Sequence, residues 1–535
     1  MGTNSSSTGV TESVGNKRVN LFFALLLIAM TSYFVWWGLD YTMYQQTTLF
    51  LVATAFGVFM AFNIGGNDVA NSFGTSVGSG TLTIPQALGI AAIFEVSGAV
   101  LAGGSVTDTI RKGIVDLDGL PVAPNQFIFV MLSALIAAAF WLLFATRRGL
   151  PVSTTHAIIG GVVGSSIILG FDLGGSETVL STVNWATIGQ IAISWVLSPL
   201  LGGVLAYLLY SQIKKKIIDY NDKTEAYIND LKANRKAVKE DHKVYFDSLS
   251  EMEQVTYTSA MLHDQDIYKD EDCTLEDLET DYYKSLYKIE RERSGLDTLK
   301  ALKQWAPIIA AMGGVVMASL VVFKGLKNVN GNFTTIHGFL IMGMVGALVW
   351  LATFMYTKSI RGKHKENLAK TTFVMFSWMQ VFTASAFAFS HGSNDIANAV
   401  GPFAAIMDVI RTDNIASQAA VPPTVMITFG VALIVGLWFI GKEVIQTVGT
   451  NLAKMHPASG FSAELAAAAV VMGASTMGLP VSSTHTLVGA VLGIGMVNKD
   501  TNWALMKPIG LAWVITLPAA ALLSALSYVI LGQIF

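Results

Sequence analysis

Asn67-Asp68-Val69-Ala70-Asn71 is echoed later in the chain by Asn394-Asp395-Ile396-Ala397-Asn398, and each copy lies in apolar sequence long enough to cross a bilayer. An ionised Asp at the centre of an apolar helix costs roughly 2.5–3.5 kcal/mol even on the mildest scale, so such residues face cavities, pair with cations or mark transport paths. No Lys or Arg lies inside either motif to pair with the carboxylate. Carboxylate and amide oxygens are ligands for hard cations, while amide NH2 groups donate to the oxygens of an anion. Asp68 and Asp395, where Na+ is an option, are therefore candidate cation ligands together with Asn67 and Asn394.

A second motif is also doubled. Gly149-Leu150-Pro151-Val152-Ser153-Thr154-Thr155-His156 recurs as Gly478-Leu479-Pro480-Val481-Ser482-Ser483-Thr484-His485. Pro is tolerated at a helix start and Ser or Thr satisfies the free N–H groups there, so each copy reads as a helix N-terminus. At membrane depth such an end, with the positive pole of its dipole, favours an anion bearing several oxygens. The hydroxyls of Ser153, Thr155, Ser482 and Thr484 add donors. Gly65-Gly66 and Gly392-Ser393, just before the aspartates, are expected to break the chain and turn backbone groups inward. Glu95 and Glu464 are further carboxylates within apolar segments and hence candidates for cation or proton binding. They are not repeat equivalents, because Leu135 occupies the place of Glu464. His156 and His485 either support the backbone or contact the ligand. Trp36-Trp37 reads as an interfacial belt, and Gly98, Gly160, Gly164, Gly202 and Gly203 as close helix packing. A remote rival assembles Ser153, His156 and Asp68 into an intramembrane hydrolase triad.

The elements that position these residues are membrane spans. Of 535 residues, 52% are hydrophobic and 13% charged, with mean hydropathy +0.53, values of an integral membrane protein. Thirteen apolar segments of spanning length run at 20–38, 47–62, 86–106, 127–145, 152–170, 185–210, 305–323, 336–356, 372–389, 421–440, 461–477, 481–497 and 503–531. The expected divisions are a tail with an additional helix (1–46), a first repeat (47–210), a loop (211–304), linking helices (305–371) and a second repeat (372–535). Half of all charged residues fall between Lys214 and Lys300, so the loop is polar and partly helical. The lone Cys273 lies in it, excluding an intrachain disulfide and a cysteine metal cluster. Lys17-Arg18, Arg147-Arg148, Lys214 to Lys216, Lys358 with Arg361, Lys363 and Lys365, Lys454 and Lys499 share one side if every segment crosses once, with Arg111-Lys112 opposite. That bias places the N-terminus and the loop in the cytoplasm and the C-terminus outside. Met1-Gly2 with Ser6 matches a myristoylation pattern of the short kind that chance often supplies.

Seven crossings separate the two copies, and an odd number inverts the second. The expected fold is an all-α polytopic membrane protein of about 12–13 transmembrane segments built from two inverted-topology repeats, with the site between the halves near the midplane. At these residues the chain resembles the inorganic phosphate transporter family of cation-coupled phosphate symporters. The family's paired G-x-N-D-x-A-N and P-V-S-x-T-H motifs stand at 65–71 with 151–156 and at 392–398 with 480–485. The resemblance implies phosphate held by Asn67, Asp68, Asn71, Ser153, Thr154 and Thr155 and by Asn394, Asp395, Asn398, Ser482, Ser483 and Thr484. It also implies Na+ or H+ coupling at Asp68, Asp395, Asn67, Asn394, Glu95 and Glu464. A related branch carries sulfate with a proton on a similar scaffold. The segment 20–38 looks like an addition to the family's usual body, and the first motif begins Asn63-Ile64-Gly65-Gly66 where the second has His391-Gly392-Ser393, differences expected to lie clear of the ligands. The expected partners are phosphate, the coupling cation and the lipid bilayer of the inner or plasma membrane, with homodimerisation an option. No catalytic activity, cofactor or nucleic acid is expected.

Overall fold

The computed structural model describes residues 17–116, 120–175, 178–270, 272–320, 322, 334–360, 367–415 and 421–535. The myristoylation pattern and Arg361, Lys363 and Lys365 lie outside them. Among the described residues every regular element is helical, apart from one isolated bridge between Val115 and Val183. Twelve helices among the described residues are long and apolar enough to span a bilayer. The thirteenth apolar segment, 481–497, forms the helix Ser483–Asn498 of only 16 residues. The chain divides into two compact units. One comprises Met1–Ser211, Ala311–Ala347 and Met375–Phe535, and the other Gln212–Ala310 with Leu348–Val374.

In the first unit, α1 (Lys17–Tyr41) is the additional helix. Its Phe34 is fully buried against the rings of Phe50, Phe403 and Phe429, and its Asn20 accepts a hydrogen bond from Trp438 Nε1 at 2.8 Å. Then come α2 (Thr47–Ile64), α3 (Ala70–Gly78), α4 (Ile84–Ala102), α5 (Pro124–Arg147), α6 (Thr154–Gly174) and α7 (Trp185–Ile213). The second copy follows the same order with α8 (Leu368–Asp395), α9 (Ala397–Thr412), α10 (Pro423–Ile440), α11 (Pro457–Thr476), α12 (Ser483–Asn498) and α13 (Trp503–Ile534).

Small residues make the two copies exchange partners. A Cβ on Gly65 would strike the carbonyl of Leu433 in α10, and one on Gly392 the carbonyl of Glu95 in α4. Gly98 likewise meets Phe389 O, and Gly436 meets Phe62 O. Further along, Gly160 and Gly164 of α6 abut the carbonyls of Leu517 and Ala521 in α13, while Gly489 and Gly493 of α12 abut those of Pro199 and Gly203 in α7. Each copy thus packs helices of the other through backbone-to-backbone approaches that only glycine permits.

These contacts correct one expectation. The chain does not break at Gly65-Gly66; it passes from α2 into α3 through a π-helical turn, Gly65–Val69. In the second copy a single residue, Ile396, separates α8 from α9. The glycines serve the crossing, and the extra backbone residue of the π turn displaces the Asn-Asp pair from regular helical register, a device common at functional sites.

In the second unit, Asp219–Ser248, Glu251–Ile267 and Asp281–Ser294 are charged helices of the insertion. Its interior holds Leu231, Leu278 and Leu286 and the carboxylate of Asp264.

Candidate functional site

The tips of α6 and α12 are built alike. Gly149 and Gly478 adopt φ of +63° and +71°, a left-handed turn that favours glycine and reverses the chain after α5 and α11. Pro151 and Pro480 follow. Ser153 Oγ then accepts the His156 N–H, and Ser482 Oγ the His485 N–H, each at 3.1 Å, capping the new helix.

Each asparagine that precedes an aspartate clamps its own tip. Asn67 Nδ2 donates to Thr146 Oγ1 and to Leu150 O, both at 3.0 Å, and Asn67 Oδ1 accepts the Val152 N–H at 3.1 Å. Asn394 Nδ2 donates to Val481 O and to Asp395 Oδ1, both at 2.7 Å, while Ser475 Oγ and Val481 N approach Asn394 Oδ1 at 3.4 and 3.5 Å. The second clamp donates the shorter bonds, while the first receives the closer one at its oxygen.

The aspartates face the hydroxyls one residue into each helix. Thr154 donates to Asp68 Oδ2 and Ser483 to Asp395 Oδ2. Bonds also cross between copies, among them Thr484 Oγ1 to Asp68 Oδ1 at 2.9 Å and Thr155 Oγ1 to Val481 O at 3.1 Å. Asn398 Nδ2 also reaches Thr155 Oγ1 at 3.3 Å. Ligand atoms of Asp68, Asp395 and His391 lie within 4.8 Å of one another. All of these residues are buried, Asp68 and Asp395 to 1% exposure. Two carboxylates at that separation repel by about 3.5 kcal/mol at an effective dielectric of about 20, which a cation or proton between them would reverse.

Both amide atoms of Asn71 and Oδ1 of Asn398 are buried with no hydrogen-bond partner among the described residues. Buried polar atoms are rarely left so, and at this position a water, an ion or a ligand would satisfy them.

His391 overturns the expectation that differences around the motifs stay clear of the ligands. Its Nδ1 lies 2.7 Å from Glu95 Oε2 in hydrogen-bond geometry, and its Nε2 lies 2.7 Å from Asp395 Oδ2, off the hydrogen-bond axis. His391 stands one turn before Asp395, so both share a helix face, and the Gly392 crossing brings Glu95 of α4 alongside. Glu464 makes none of these contacts. Its Oε1 accepts from Thr75 at 2.7 Å, Gln380 Nε2 at 3.0 Å and Ser76, and its Oε2 accepts from Thr383 at 2.9 Å. Gln380, Thr75, Ser76 and Thr383 escaped sequence reading because lone polar residues in a span carry no pattern. His391 shows in the sequence only as a difference between copies, where the first copy has Ile64.

The hydrolase triad is not assembled. Ser153 Oγ is occupied as a cap, and the His156 ring packs on Trp195 with centroids 3.9 Å apart.

Residues 64–524 match the phosphate transporter family. The chain belongs to that family. A Mycobacterium bovis protein named "Putative phosphate permease" is 57% identical over 517 residues, covering 96% of this chain and 93% of the relative. A Haemophilus influenzae protein of the same name is 33% identical over 491 residues, covering 90% and 97%. A solved structure described as the sodium-dependent phosphate transporter superposes with TM-score 0.68 at 29% identity, covering 91% of this chain and all of its own. The protein is thus a multi-pass membrane transporter of the phosphate family and not an enzyme.

Proposed function

We propose that this phosphate transporter family member imports inorganic phosphate across the inner or plasma membrane by symport with Na+ or H+, at a site between two inverted repeats. The observation that carries the reading is the orphaned amide of Asn71, with Asn398 Oδ1, one helical turn beyond two facing carboxylates. Asn71 offers NH2 donors to phosphate oxygens, and the hydroxyls of Thr154, Thr155, Ser483 and Thr484 and the capped helix ends add to them. Asp68 and Asp395 hold the cation, which offsets the repulsion between these carboxylates and the incoming anion, so neither species binds well without the other. That is coupling by electrostatics. The sodium dependence named for the structural neighbour supports Na+ as the coupling ion. The charge bias puts the N-terminus and the insertion at 211–304 inside and the C-terminus outside. Asn67 and Asn394 hold the tips that present the donors.

Purified protein in liposomes, given labelled phosphate under imposed Na+ and pH gradients, tests the reading. Uptake should follow one of the two gradients, resist competition by sulfate, which lacks the proton that phosphate can donate to Asp, and vanish in Asp68→Asn and Asp395→Asn. Wild-type uptake by either variant, or label displaced fully by sulfate, would refute it.

A further inference from the structure

Among the bonds by which the two copies differ, one pair joins a tryptophan of one copy to the tip of the other. Trp195 of α7 and Trp513 of α13 occupy equivalent places. Their rings pack at 3.9 Å on His156 and His485 respectively, and the two histidines meet each other at 4.5 Å. The four rings form a row joining the tips of α6 and α12, with the histidines buried and the tryptophans half-buried at its ends. Within that shared frame, Trp513 Nε1 donates to Pro151 O of the first tip at 3.1 Å. The equivalent bond, Trp195 Nε1 to Pro480 O of the second tip, is not made. Trp195 Nε1 is buried and has no partner among the described residues. On that same second tip the approach of the backbone N–H to the asparagine oxygen is the longer, with Val481 N at 3.5 Å from Asn394 Oδ1 against 3.1 Å for Val152 N from Asn67 Oδ1.

We infer that Trp195 and Trp513 are alternating latches, positioning residues that fasten one hairpin tip in each of the transporter's two access states. Repeats of inverted topology that differ in conformation generate the opposite-facing state by exchanging those conformations. On exchange, Trp195 takes Pro480 O and Trp513 releases Pro151 O, while the histidine row serves as the pivot on which both rings stay packed. The buried N–H left over in one state is the bond that the other state makes. This inference rests on the inverted-repeat symport reading above.

The test compares wild type, Trp513→Phe and Trp195→Phe, since Phe keeps a ring against the histidine and removes the N–H. Backbone hydrogen exchange of the full protein in lipid nanodiscs is read at 149–156 and 478–485, alongside phosphate exchange flux in liposomes. Trp513→Phe should accelerate hydrogen exchange at 149–156 roughly threefold to tenfold and leave 478–485 alone. Trp195→Phe should leave both windows at wild-type protection, yet lower the maximal flux several-fold with KM unchanged, because its bond exists only in the other state. A purely structural tryptophan would loosen its own surroundings at rest or do nothing to flux. Wild-type flux in Trp195→Phe, or equal loosening of both tips by Trp513→Phe, would overturn the assignment. A wild type that moves no phosphate would sink the transport reading instead, and the hydrogen-exchange comparison would still decide the latch.

Discussion

Thr484 at the tip of the second copy donates its hydroxyl proton to Asp68 of the first, Oγ1 to Oδ1, across 2.9 Å. With Thr154 on the other oxygen, Asp68 is held by one donor from each half of the molecule. The aspartate therefore reports on whether the halves are closed around the site. Replacing Thr484 by Val removes the cross-copy donor and leaves Asp68 Oδ1 buried without it, at a cost of about 1–3 kcal/mol. Phosphate KM should rise roughly fivefold to a hundredfold in liposomes, while Thr484→Ser, which keeps the hydroxyl, stays near wild type. Equal behaviour of Val and Ser would remove the bond from the argument.

The pair His391 and Glu95 has an apolar twin. The crossing that sets Gly392 against Glu95 O is repeated where Gly65 meets Leu433 O, so Ile64 and Leu433 stand where His391 and Glu95 do in the other half. A buried partner stripped of its mate is costlier than the loss of both. His391→Ile should lower the thermal midpoint because Glu95, whose Oε1 already lacks a partner, loses the other oxygen's bond. His391→Ile combined with Glu95→Leu recreates the twin and should recover at least half of that loss in a thermal-shift assay while leaving uptake impaired. Additive losses in the double variant would contradict a coupled pair.

Much of this arrangement is legible in the sequence alone. The doubled Asn-Asp and Pro-Val-Ser motifs placed Asp68, Asp395 and the hydroxyl-bearing tips because unpaired carboxylates and helix starts inside apolar sequence have few other reasons to exist. What was not legible depended on contacts between copies. Gly65 and Gly392 looked like breaks, since glycine permits both a turn and a close crossing, and only the neighbour's carbonyl distinguishes them. His391 was overlooked for the same reason: its partner Glu95 comes from a helix far away in sequence, and no periodicity within one segment can show that.

The insertion offers a pH test separate from transport. Burial of Asp264 pushes its carboxyl upward, but the N–H groups of Glu279 and Thr280, at 2.8 and 2.7 Å, and the Thr280 hydroxyl outweigh it and hold the group below the usual carboxylate range. A folded-state value below the unfolded one contributes stability that is fully present above the ordinary carboxylate range and is lost as pH falls through it. Asp264→Asn should therefore lower the melting temperature of the 211–304 insertion at pH 7, with the difference from wild type shrinking toward pH 3. A difference independent of pH would show that shape, not charge, matters there.

Glu464 is the sharpest departure from equivalence between the halves. Four donors converge on it, whereas the equivalent positions of Glu464, Gln380, Thr383, Thr75 and Ser76 carry Leu135, Ala53, Phe56, Pro402 and Phe403, all apolar. Phe403 there packs against Phe34 of the additional helix, so one half is filled with rings where the other keeps a carboxylate. A fold that needed only packing could have used the apolar solution twice. Glu464→Leu strands four buried donors, and at about 1–3 kcal/mol for each the variant should fail to reach a stable fold, read by loss of the monodisperse peak in detergent. Glu464→Gln keeps an acceptor and the volume, so it should fold. If the negative charge serves transport, that variant loses phosphate uptake at an unchanged melting temperature. Uptake at the wild-type rate by Glu464→Gln would reduce Glu464 to a hydrogen-bond hub holding Thr75 and Ser76 of α3 against Gln380 and Thr383 of α8.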